Sequence, residues 1–170
     1  MRLIEGETTV EDVDAFVERL GAIGEEHGVA IQAFDARYVV DREHVERAVT
    51  LANRAFERGE SVARDRAVEI LLYAAGRRQI NRALEMGVSE GTGPCVLVVD
   101  DGSGPGETTE AEEAAAADLR PLVDDAETLG AYDPGRVRDF FDVTEAELAA
   151  TDADLPALVR ERVAMLVVDR

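Results

Sequence analysis

The sequence predicts an α+β fold, a small mixed or antiparallel sheet of about four strands packed with five to seven helices. Three observations carry this. Short β-branched or continuous apolar runs stand at residues 3–6, 29–34, 95–99 and 163–168. Segments with apolar residues at helical spacing lie between them. The order of the two types does not alternate strictly, so a doubly wound parallel sheet is not implied.

Leu3-Ile4-Glu5-Gly6 reads as a first strand. Thr8 with Glu11 three residues on is a capping box, opening a helix with Val10, Val13, Phe16, Val17, Leu20 and Ile23 on one face and Gly28 as its stop. Val29 to Phe34 is the second strand. Asp41 caps the next helix, whose inward stripe is Val45, Ala48, Val49, Ala52 and Phe56, with Gly59 closing it. A helix over Ala63–Ala75 is apolar around most of its circumference and belongs near the centre. Gly76 breaks it, and a short helix follows from Arg77 to about Met86, with Ile80, Ala83 and Leu84 inward.

Cys95 to Val99 is a continuous apolar run of strand length, and Asp101 to Gly106 a Gly-rich loop. Thr109 and Glu112 form a second capping box at the head of an alanine- and acid-rich helix reaching Leu129. Asp133-Pro134 is a cap followed by proline at the first helical position, and Thr144 with Glu147 is a third box. Pro156 starts a last helix that leads into Val163–Val168 as a final strand. Val98-Val99-Asp100 and Val167-Val168-Asp169 look alike, as two buried strands of one sheet would.

The length, 170 residues, sets a single domain as the expectation. A lone cysteine, Cys95, excludes an intramolecular disulfide and a cysteine-cluster metal site. With no apolar stretch near membrane-span length and no apolar leader after Met1, the expected location is the cytoplasm.

The charge is the most informative part of the composition. There are 37 acids against 18 bases, and every base is arginine. A strongly acidic, lysine-free chain fits a protein adapted to high intracellular salt, where carboxylates hold a hydration layer and salt screens their repulsion within about 3 Å at 1 M. Against that background, residues 37–82 hold ten arginines and seven acids, a local net of +3. A basic stretch on an acidic body is a phosphate-binding pattern. Its sharpest part is Arg77-Arg78-Gln79-Ile80-Asn81-Arg82. Guanidinium groups meet phosphate in a bidentate fork and stack on bases, the amides of Gln79 and Asn81 read base edges or ribose hydroxyls, and the start of the helix adds its positive end. The bland alternative is a solvated helix face whose arginines pair with nearby acids.

The stretch Val40–Ala48, and above all Glu69–Val88 with Gly76, Arg78, Gln79, Ile80, Ala83, Leu84, Gly87 and Val88, resembles the CGI-type (TPRKB-like) small regulatory subunit of the KEOPS complex. That family carries a Gly-x-Arg-Gln-Ile-x-x-Ala-Leu-x-x-Gly-Ile/Val segment. The resemblance covers most of the chain from Ile31 on. It implies a non-catalytic subunit, without a cofactor, of the machinery that attaches threonylcarbamoyl to tRNA. It implies two partners: the complex's small kinase/ATPase and the unpaired 3′ CCA end of tRNA. The RNA role carries onto Arg77, Arg78, Gln79, Asn81 and Arg82, with Arg64 and Arg66 as neighbours. Recognition of an unpaired end suits arginines, amides and an apolar platform.

Enzyme readings are weaker. His27 stands at a helix end and His44 in a first turn, with no metal-ligand spacing between them. Gly102–Gly106 lacks the ending of a phosphate-binding loop. Two alternatives stay open: a small magnesium-dependent nucleotide enzyme using Asp100 and Asp101, and a protein-binding kinase regulator without RNA contact.

Overall fold

The structure is a computed structural model that describes residues 1–168. Its first strand, β1 (Arg2–Val10), is more than twice the expected length. Thr8 therefore lies within a strand, opposite Gly93, and its hydroxyl donates to the Leu122 carbonyl. The expected Thr8 cap is displaced to Asp12, whose carboxylate accepts from the Ala15 N–H at the head of α1 (Val13–His27). Long-range pairing outcompeted the local cap.

After α1 come β2 (Ala30–Asp35), a 3₁₀ turn, α2 (Arg42–Glu57), α3 (Arg66–Ala75) and the single turn α4 (Ile80–Ala83), continued by a 3₁₀ turn over Leu84–Met86. Next are β3 (Gly91–Asp100), α5 (Glu110–Leu119), β4 (Asp124–Asp125), α6 (Pro134–Phe140), α7 (Glu145–Ala150) and α8 (Leu155–Val168). The fold is α+β, with four antiparallel strands in the order β2-β3-β1-β4. The eight α-helices among the described residues exceed the expected five to seven. The expected long helix to Leu129 stops at Leu119, then makes a 3₁₀ turn and β4.

Helices cover both faces of the sheet. Cys95, Leu97 and Val99 face α1 and α5, while Val96 and Val98 face the larger core built on α2, α3 and α8. This two-sided burial explains the uninterrupted apolar run of β3. Burial also pushes the Cys95 thiol up to about 12, the behaviour of a small hydrophobe. β4 reaches β1 only because Gly6 has no side chain: a Cβ there would stand 2.1 Å from the Asp124 carbonyl oxygen.

The expected final strand over 163–168 is a helix. Val159, Val163 and Leu166 recur at helical spacing and are buried, Val159 and Leu166 within the larger core, whereas Met165 and Val167 are exposed. Arg160 fixes the helix to the start of α2 through Asp41 and, at 3.3 Å, Glu43. A short apolar run has no period that separates strand from buried helix. The likeness of Val167-Val168-Asp169 to the end of β3 therefore has no structural counterpart through Val168; Asp169 lies outside the described residues.

Candidate nucleic-acid interface

Asp65 caps α3 by accepting from the Ala67 N–H. At the other end Gly76 adopts the left-handed conformation, φ 61°, and the Gly76 and Arg77 N–H groups donate back to the Tyr73 and Leu72 carbonyls. This glycine-closed turn packs against the backbone of α8, where a Cβ on Gly76 would stand 3.4 Å from the Arg162 carbonyl oxygen. It also divides the two arginines that follow. Arg77 turns inward: its Nη2 donates to the Phe140 carbonyl, it lies 3.5 Å from Asp142 Oδ2, and its guanidinium sits 5.2 Å over the Phe140 ring. Arg78 is exposed.

Arg66 is withdrawn from the surface as well. It binds the Asp100 carboxylate and carbonyl, each at 2.6 Å, and Asn53 Oδ1 at 3.0 Å. Of the seven residues expected to meet RNA, Arg66 and Arg77 therefore hold the fold together. Arg64, Arg78, Gln79, Asn81 and Arg82 are exposed, and among the described residues Arg64, Arg78 and Arg82 make no ion pair.

α4 begins at Ile80, so Arg77 and Arg78 precede it and do not belong to its first turn. One turn of helix sums too few peptide dipoles to hold a phosphate by itself, so that part of the expected site is corrected. The expected packing of the turn is corrected too. Ala83 is fully buried, but Ile80 is 45% and Leu84 56% exposed. A single turn is too short for its sequence to show which side faces out. The one hint in the sequence was that both belong to the recognised motif, although the core does not need them. Arg78 borders a shallow depression with Glu60, Val62 and Val167. The result is a surface turn of arginines, amides and exposed aliphatic side chains.

The acidic cluster at the end of β3 has a different character. Asp100, Asp101 and Glu112 offer carboxylate oxygens close to one another. Asp100 is fully buried, and its oxygens accept from Arg66, Asn53 and the Gly102 and Gly104 N–H groups. Glu112 accepts from the Met1 ammonium and from the Asp101 and Thr109 N–H groups, completing the Thr109 capping box. Hydrogen bonds from the Ser103 hydroxyl and N–H lower Asp101 to about 2. Positive groups and N–H donors already neutralise this cluster, which removes the ligands the magnesium reading needs.

His44 is equally structural. Its Nδ1 accepts from the Val40 N–H and its Nε2 lies 2.8 Å from the Ala74 carbonyl, fixing the neutral tautomer. Burial lowers its pKa. His27 Nε2 meets Asp118 at 2.7 Å and ties α1 to α5.

A model of the kinase binding protein CGI-121 family matches residues 8–166. The chain belongs to the CGI-121 family. No curated protein matches the chain. The family match begins in β1 and ends in α8, so it spans more than the resemblance from Ile31 on, and it contains the whole Gly76–Val88 turn. Within this CGI-121 domain no described helix is long and apolar enough to cross a membrane.

Proposed function

We propose that this chain is a non-catalytic subunit that binds a small atypical kinase/ATPase and the unpaired 3′ CCA end of tRNA, serving the KEOPS machinery for threonylcarbamoyladenosine in the cytoplasm. The kinase role rests on membership of a kinase-binding family. The RNA role rests on one observation: the family motif divides into residues that build the fold and residues that face solvent. Gly76 and Ala83 are tied into the packing, whereas Arg78, Gln79, Ile80, Asn81, Arg82 and Leu84 are exposed, their cations unpaired among the described residues. Aliphatic side chains give bases a platform and the arginines neutralise phosphates, the combination single-strand binding uses.

The second reading, a kinase regulator without RNA contact, is favoured by the loss of Arg66 and Arg77 to internal partners. One comparison separates the two. Full-length tRNA and tRNA lacking its CCA end are titrated against the wild-type chain and the Arg78→Glu/Arg82→Glu variant at matched salt. The RNA reading requires binding that is lost on trimming and on charge reversal, with co-purification of the kinase retained. Unchanged tRNA affinity in the variant leaves the regulator alone.

A further inference from the structure

We propose that the outer edge of β2 receives an extended peptide segment of a partner protein by strand addition, at a site that adjoins the arginine turn through Leu84 and is argued independently of the RNA reading. β2 is an edge strand, paired only with β3. The direction of its free main-chain groups follows from the sheet. Arg2 Nη1 donates to the Leu3 carbonyl at 2.8 Å, so Leu3 is turned away from its β3 partner Val98. Antiparallel pairs alternate between bonded and non-bonded, so Val98 bonds Gln32 on its other side. Ile31 and Ala33 then point their N–H and C=O groups outward. Gln32 agrees with this phase: its side-chain amide donates to the Ala33 carbonyl at 2.8 Å, capping the exposed edge.

These groups form the floor of a groove of about 520 Å³. Val17 and Leu20 of α1 form one wall, and Val68 of α3 with Leu84 forms the other. The chain closes one end where it crosses between the sheet faces, Met86 packing on the larger core and Val88 on the smaller. Ile31 and Ala33 are 7% and 3% exposed, so the floor is recessed. A folded sheet edge, such as a second copy's, cannot descend between two helical walls, but a single extended strand can. Its main chain would pair with Ile31 and Ala33 and its alternate side chains would rest on Leu20 and Val68. Glu25 and Asp65 also line the groove. Their charge disfavours a phosphate backbone and selects a strand of branched apolar residues with a basic neighbour.

The test uses the isotopically labelled full chain and a capped hexapeptide, arginine followed by alternating valine and threonine. Saturable shifts and slowed exchange of the Ile31 and Ala33 amides are expected. N-methylation of the peptide amides that face β2 should weaken binding about tenfold or more, the worth of two or so lost hydrogen bonds. Gln32→Ala, which removes the edge cap, should bind the peptide at least as tightly. The proposal is overturned if the methylated peptide binds equally well, if neither chain binds the peptide, or if those amides are already protected in the free protein. A CCA-terminated oligonucleotide that protects the same two amides and displaces the peptide would also overturn it, by giving the groove to RNA. The charge-reversal variant tests the RNA reading separately.

Discussion

Arg66 Nη1 lies 2.6 Å from Asp100 Oδ2, joining the first residue of α3 to the last residue of β3 across the larger core. The acid is fully buried and the arginine is not. A guanidinium in a basic stretch thus neutralises a buried carboxylate instead of meeting a phosphate. Removing Arg66 leaves the buried carboxylate with the Met1 ammonium, 3.9 Å away, as its remaining counter-charge and with its neutral donors Asn53, Gly102 and Gly104. We expect Arg66→Ala to cost about 1.5–3 kcal/mol, the worth of hydrogen bonds to a charged group, read as a fall in denaturant midpoint at fixed salt. The tRNA affinity of the folded fraction should not change. A selective loss of RNA binding without loss of stability would return Arg66 to the surface site.

Arg78 and Arg82 are predicted to behave oppositely. Alanine at both positions should leave the midpoint unchanged within about 0.5 kcal/mol. If each meets a phosphate, the slope of log affinity for single-stranded RNA against log salt should decrease by about 0.7 per arginine. Ile80→Ala should weaken RNA binding by a factor that does not shrink as salt rises, because apolar contact is not screened. A salt slope identical to wild type in the double variant would show that neither arginine touches the backbone.

His44 makes stability depend on pH. Its folded pKa is lowered chiefly by burial, against the Ala74 carbonyl and Asp41, which favour the charged ring, and with Arg160, which opposes it. The unfolded chain therefore takes up a proton near pH 6.5 that the folded chain resists. Stability should be full above that pH and decline as pH falls below it, by up to about 1.4 kcal/mol per unit from this group. Chemical denaturation between pH 7 and about 5, above the usual carboxylate range, reads this directly. His44→Gln should lower the plateau and flatten that window; an equally steep slope in the variant would assign the effect elsewhere.

Gly6 is predicted to be irreplaceable for steric reasons. A methyl group there would collide with the Asp124 carbonyl and the Val123 side chain. Gly6→Ala should cost about 1–3 kcal/mol and should expose the β1 edge, seen as faster amide exchange around residues 124–128. Thr128 is sensitive because its N–H and hydroxyl bind Glu5 and the Cys95 carbonyl of the neighbouring strands. Unaltered stability would mean that β4 can move away without loss.

Local chemistry was legible in the sequence where the competing interactions are also local. Asp41, Thr109 with Glu112, and Asp133 cap the helices they were expected to cap. Gly28 and Gly76 stop theirs in the left-handed conformation. The run from Cys95 to Val99 is the centre of the sheet, and the Gly76–Val88 motif was sufficient to indicate the family. Distant contacts decided the rest. Thr8 had a partner in a capping box but a better one in a nine-residue strand pairing. Residues 163–168 are equally apolar as strand or helix, and packing on α2 and α3 selected the helix. The fate of each arginine was settled the same way: a guanidinium binds whichever carboxylate, carbonyl or ring the fold brings near it. Arg66 found Asp100, Arg77 found Phe140 and Asp142, and Arg78 was left facing water because the backbone turns at Gly76 between them.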